Sequence, residues 1–419
     1  MTGVAGLRGT GDWGTDERPK EFRNMIQRLS PNGMSPIFGL TSKAGKKAVS
    51  DPEFAFWVES QGHVRLQVNG ALVAGDTTVT VDSADPSASD MTLQYGTATN
   101  LKPGDLLMVE PSSDSTTYDP EFIEVVTVAS NTSFTVRRGI AGSSAAAIGD
   151  NAYLQLVGSA YAEGGDAPRA VSRNPVKFLN YTQIFKNTYE ITGTAMNTFA
   201  RTGDAWSEDK KRKNFDHARD IEMAFIFGRK SENTASAENG KPIRYMGGLL
   251  QIIPTSRRTV FTGDVGFEAG SNNFLDAVYK VFDYNSPAGD TRIAFCGNAA
   301  MNALQKAAAA TTNVRINSDK VVKVYGTDFR EFILPQGRLL WKTHPLLNII
   351  GGIYSKSMLI LDFSAIKYVY MKGRDTKMTD NIQLPGADSK KGLIQTECSL
   401  MLDYAGLTCA YLGNITQNA

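Results

Sequence analysis

Apolar and polar residues alternate in two different rhythms along this chain, and the change of rhythm divides it. Over 204–230 the spacing is helical: Phe215, Ala218, Ile221, Ala224 and Phe225 recur at three- and four-residue steps behind a charged first half. Asp204 or Ser207 supplies an N-cap, Glu208 and Asp209 fill the first turn, and Arg229 and Lys230 close the stretch, as a helix dipole favours. Glu208–Arg212 and Asp209–Lys213 are acid-first i,i+4 pairs. At about 1.5 Å per residue this helix spans roughly 35 Å, long enough to be the spine of the fold.

From about 64 to 158 the period falls to two. Short runs around Thr77–Val81, Asp105–Val109, Ile123–Val128, Ser133–Val136 and Tyr153–Val157 are separated by Gly75-Asp76, Pro103-Gly104, Asn131-Thr132 and Gly149-Asp150. Alternation broken by turn chemistry predicts an all-β sandwich or small barrel, inserted between helical flanks. Before it, Phe54, Phe56 and Val58 alternate with Ala55 and Trp57 as a strand. After it, 176–194 is rich in β-branched and aromatic residues and is expected to pair with that strand, giving a long two-stranded ribbon with the β module near its tip. Residues 1–35 lack sustained periodicity and read as an extended arm that orders against a partner, and Met34 to Phe38 as its anchor. Beyond the spine, 243–253 reads as a glycine-rich turn with a short strand. Helical stretches at 272–284 and 299–310 alternate with strands at 291–295, 321–325, 332–334 and 339–341, and 358–363, 366–371 and 392–411 close the chain. The pattern is α+β, with a domain made of separate stretches.

Composition narrows the function. A net charge of +1 excludes a basic nucleic-acid coat or a polyacidic tail. No stretch reaches the roughly 18 consecutive apolar residues of a membrane span, and no signal peptide opens the chain. The three cysteines, Cys296, Cys398 and Cys409, are expected to be free buried thiols, although Cys398 and Cys409 flank a turn near Asp403.

The motif search ends without a catalytic, cofactor or metal site. Gly9, Gly11 and Gly14 match G-x-G-x-x-G but lack a preceding strand and a βαβ unit. Gly39 to Lys46 is one residue too long for a phosphate loop, and no G-x-S-x-G or H-E-x-x-H occurs. His63, His217 and His344 are far apart and read as core or surface histidines. Lys210 to Lys213 reads as a solvated helix face paired with Glu208 and Asp209 rather than a phosphate contact. Arg137-Arg138-Gly139 reads as a structural hairpin end, and the Asn131, Asn180 and Asn414 triplets as unglycosylated.

The order of arm, two-stranded loop, charged helix, α/β block and closing strands resembles the major capsid proteins of tailed bacteriophages, the Hong Kong 97-type fold, in a branch carrying a β domain in the extended loop. The residues that carry the resemblance are Pro36-Ile37-Phe38, then Glu53 to Trp57, Pro103-Gly104-Asp105, Ile123-Glu124-Val125, Phe134 to Gly139, Ala145 to Ala147, and Leu361 to Ser364 with distal Glu397 and Asp403.

The resemblance implies an N-terminal arm over 1–35 and an extended loop over 53–200 with its β module at about 64–158. It implies a peripheral domain of 36–52, 201–265 and 355–419, and an axial domain of 266–354. It further implies a non-enzymatic shell protein that assembles with itself into hexamers and pentamers of an icosahedral head. Scaffold, portal and decoration proteins would be its other partners, with double-stranded DNA held on the inner face without sequence specificity. Synthesis and assembly would occur in the host cytoplasm and the protein would reside in the virion. Arm and ribbon would need burial by neighbours, in obligate interfaces on the order of 2,000–5,000 Å². Gly203, Gly247-Gly248 and Gly351-Gly352 are candidate hinges. No Lys–Asn crosslink is assignable. The β module is expected to stabilise contacts between capsomers, ahead of acting as a built-in decoration or binding host glycans. Two alternatives remain: an encapsulin-like nanocompartment, against which the inserted module argues, and an enzyme with an accessory glycan-binding β domain.

Overall fold

The computed structural model describes residues 37, 39, 45–59, 64–82, 97–111, 119–168, 170–171, 175–198, 203–234, 240–268, 270, 272–287, 289–310, 321–324, 327–350 and 352–417. The arm over 1–35, its glycine motif and His63 lie outside them. The chain lays down β1 (Lys46–Val49) and β2 (Glu53–Val58). Six short strands follow: β3 (Arg65–Gln67), β4 (Thr78–Thr80), β5 (Asp105–Val109), β6 (Phe122–Val128), β7 (Ser133–Ile140) and β8 (Tyr153–Ser159). It returns through β9 (Val176–Tyr181) and β10 (Gln183–Thr192) to the spine helix α1 (Ala205–Phe227), then β11 (Ser231–Asn233), β12 (Ile243–Tyr245) and β13 (Arg258–Val260). Next come α2 (Phe274–Val278), β14 (Thr291–Cys296), α3 (Asn298–Ala310), β15 (Val321–Val324), β16 (Thr327–Leu334), β17 (Gly337–Thr343) and α4 (Pro345–Ile350). The last strands are β18 (Met358–Leu361), β19 (Ile366–Met371), β20 (Lys377–Asp380), β21 (Ser389–Leu402) and β22 (Ala410–Gly413).

The six short strands form a ring in the order β3-β8-β5-β6-β7-β4. An antiparallel bridge between Val68 and Val81, with N–H groups of Asn69 and Asp82 donating to the carbonyls of Thr80 and Gln67 at 2.9 Å, closes the sheet on itself. Each strand sends alternate residues inward, and Leu66, Val79, Leu107, Ile123, Phe134 and Leu154 are fully buried inside. Period two thus produces a side-chain-filled barrel.

The body holds two further sheets, of seven and five strands. Seven strands run β13-β22-β18-β14-β17-β16-β15, and their core against α2 and α3 contains Phe274, Leu304, Phe332 and Trp341. The buried runs in β14 and β18 are apolar without alternation because both faces are covered. Strands from the stretches assigned to the axial and peripheral domains share this sheet. The second sheet runs β1-β19-β21-β10, with β20 also on β21. Between the sheets α1 buries Ile221, Phe225 and Ile226 among Phe295, Leu359, Tyr368 and Cys398.

Several expectations change. Residues 176–194 do not make one ribbon strand: only β9 pairs with β2, while β10 crosses to the body and pairs with β21 from Gln183↔Cys398 to Thr192↔Ser389. Thr182 is the crossover, its N–H bonded to the Pro52 carbonyl and its hydroxyl to Glu397 at 2.9 Å. The spine helix is capped by Asp204, which accepts the Ser207 N–H at 3.1 Å, but it ends at Phe227 rather than 230. Gly228 stops it because Gly248 packs there backbone to backbone: a Cβ on Gly248 would lie 2.6 Å from the Gly228 nitrogen and 2.7 Å from the Ala224 carbonyl oxygen. Gly248 is therefore a close-packing point. The turn expected near Asp403 is present, at Tyr404 and Gly406, both with positive φ, but beyond it the chain enters the other sheet as β22 instead of pairing back on β21. Cys398 in β21 and Cys409 just before β22 consequently do not face each other across a hairpin, although both lie in the core around α1, and all three cysteines are free and buried.

Candidate assembly surfaces

Charged groups singled out in the sequence pair within the chain, those of the helix on its solvated face and Arg138 in the interior. Lys211 pairs with Glu208 and Arg212 with Asp209 at i,i+3, not at the expected i,i+4, and Lys210 reaches Asp380 at 2.8 Å. Arg138 is buried and forms a two-pronged pair with Glu121, Nε to Oε1 at 2.6 Å and Nη2 to Oε2 at 2.7 Å. Glu121 also accepts the N–H groups of Gly139 and Ala146, and Arg138 donates to the carbonyls of Val73 and Ala146, so the pair pins two loops to one end of the barrel. Burial opposes ionisation of Glu121, yet these bonds outweigh it and hold its carboxyl below the usual range.

His217 and His344 are both buried. His217 lies between Asn187 Oδ1 at 2.6 Å and Thr396 Oγ1 at 2.7 Å, and burial lowers its pKa against a smaller opposing pull from Asp220. Among the described residues no group of three or more His, Cys, Asp or Glu converges as a metal site. No described helix is long and apolar enough to cross a membrane.

The ribbon is seated by a residue that the sequence offered only as a glycosylation triplet. Asn180 in β9 is buried; its amide donates to the carbonyls of Leu400 at 2.9 Å and Gly247 at 3.1 Å, and its Oδ1 accepts the Gly247 N–H at 2.8 Å. On the same face Phe54 packs on Val369 and Met401, and Val58, Val176 and Phe178 pack on Leu407. The chain's own body therefore covers one ribbon face, which corrects the expectation that the ribbon depends wholly on neighbours. The opposite face presents Glu53, Ala55, Trp57, Lys177, Leu179 and Tyr181, with Trp57 63% exposed. Ile353, just after α4, is 65% exposed and Leu384, between β20 and β21, is 79% exposed. Ile353 and Leu384 are single exposed apolar side chains of the kind any surface carries, whereas Trp57 sits on the uncovered face of the ribbon.

Comparison with known proteins assigns the chain to a family. The sequence profile of the SU10 major capsid protein family matches residues 6–416. The major capsid protein of Pseudomonas phage PaMx41 is 28% identical over 385 residues, covering 89% of this chain and 83% of that protein. Among solved structures, a capsid chain of the native GTA particle is similar with a TM-score of 0.44 at 9% identity, over 95% of this chain and 96% of its own. A chain of Mycobacterium phage Adephagia gives 0.40 at 10% identity, over 96% of each chain. The holo-SrpI encapsulin complex from Synechococcus elongatus PCC 7942 gives 0.39 at 11% identity, over 59% of this chain and 79% of its own. With a profile match running almost from end to end, the chain belongs to the SU10 major capsid protein family.

Proposed function

We propose that this major capsid protein builds the head of a tailed double-stranded DNA phage as hexamers and pentamers in an icosahedral shell of the Hong Kong 97 type. Its role is structural, with no catalytic, cofactor or metal site. In this reading residues 1–35 are the arm, 53–200 the extended loop, 266–354 the axial domain, and 36–52, 201–265 and 355–419 the peripheral domain. The observation that carries it is the two-faced ribbon: Asn180 fixes one face to the body while the other holds Trp57 in solvent, where a neighbouring copy would cover it. Scaffold, portal and decoration proteins are its remaining partners, DNA lies on the inner face, and assembly takes place in the host cytoplasm. The barrel strengthens contacts between capsomers.

Electron microscopy of the purified full chain tests the proposal. Closed shells or rings of five and six subunits are expected, and Trp57→Ser should shift the population toward free subunits. A stable monomer that never assembles, or shells indifferent to Trp57→Ser, would refute the assignment of the ribbon face.

A further inference from the structure

Glu222 lies on the inner side of the polar-looking helix α1, and it and His344 are both wholly buried. One oxygen, Oε1, accepts the backbone N–H of Ile37 at 2.9 Å and lies 2.8 Å from Nε2 of His344. Nδ1 of His344 faces the N–H of Leu346 at 3.2 Å and must accept it, so Nε2 carries the proton and donates to Glu222. The His344 N–H is in turn bonded to the Cys296 carbonyl at 2.8 Å, which fixes the joint between β17 and α4 to β14. Three segments distant in sequence, the base of the N-terminal stretch, the spine helix and the joint that leads into α4, thus meet at a single oxygen.

A carboxylate in such a place is tolerable only while its donors are present. We propose that Glu222 couples the seat of the N-terminal stretch to the seat of α4, so that movement of either is felt by the other. The segment at Ile37 begins where the proposed arm ends, and α4 leads to the exposed Ile353. A neighbour that engages the arm would therefore alter the surface that the α4 end offers to another copy. This regulation rests on the shell reading above.

Hydrogen exchange on the full chain, followed at residues 37 and 346, provides the test. Ile37→Pro removes the donor to Glu222 and should speed exchange of the Leu346 amide about tenfold, within the usual range for coupled sites; Ile37→Val keeps the donor and should not. In a Glu222→Gln background the proline substitution should add nothing at Leu346. Unchanged Leu346 exchange in Ile37→Pro, or an effect that persists without Glu222, overturns the coupling. Should the proline variant fail to fold, the wild type decides: the two amides must share one opening free energy as denaturant rises, and separate values refute the proposal. Shells seen by microscopy with independent amides sink the coupling alone, whereas absence of shells sinks the functional reading.

Discussion

Replacing Arg138 by Met keeps most of the side-chain volume and removes the charge that faces Glu121. The two groups are 5% and 4% exposed, so water does little to screen them or to replace the lost partner. Breaking a buried pair of this kind costs about 3–5 kcal/mol. Here Glu121 keeps the N–H groups of Gly139 and Ala146, at 3.2 and 3.1 Å, which places the loss near the lower figure. For a unit the size of the barrel, about 3 kcal/mol corresponds to a fall in melting temperature of roughly 12–24 °C. Exchange of the β6 and β7 amides in the full chain, followed on heating, isolates that unit. Acid supplies a second readout. In the wild type the carboxyl is held below its unfolded value, so the pair's contribution is present at neutral pH and is lost as pH falls through the folded value. Without Arg138 burial is opposed only by the N–H groups of Ala146 and Gly139, so that value rises relative to wild type and the variant recovers relative to wild type on acidification. A loss below about 1 kcal/mol, the size of an exposed pair, or a deficit independent of pH would refute the reasoning.

Three further outcomes are expected. Asn180→Ala strands the carbonyls of Gly247 and Leu400 and should cost about 1–3 kcal/mol in urea unfolding, with protease sensitivity rising first in 53–58 and 176–181; an unchanged cleavage pattern contradicts its seating role. Burial pushes the thiols of Cys296 and Cys409 up to about 12 and raises that of Cys398 as well, so a disulfide reagent should titrate no thiol in the folded chain and three after denaturation. His217 has a folded pKa below its ordinary 6.5, so the unfolded state binds the proton first and stability should decline as pH falls through the ordinary value toward the lower folded one; His217→Gln should flatten that decline.

What the sequence disclosed depended on how local each signal was. Asp105–Val109 and Ile366–Met371 are strands with the expected bounds, since alternation and the neighbouring turns specify them within a few residues. The partner of β10 was not legible: nothing in Gln183–Thr192 distinguishes β2 from β21, and the choice is made at Thr182 by Pro52 and Glu397. The helix ran three residues short because Gly248, remote in its packing, occupies the space beyond Phe227. Asn180 and Glu222 escaped notice because a lone amide in a strand and an acid on a charged helix look like surface residues until long-range pairing buries them.

Entry to and exit from the barrel lie side by side, with the Leu156 N–H bonded to the Val64 carbonyl at 3.0 Å. The filled ring thus begins and ends at one place, and its own core owes nothing to the sheets of the body. A foreign domain whose ends are equally close would fit the same place, making this point a natural graft or a site of evolutionary exchange of one domain for another.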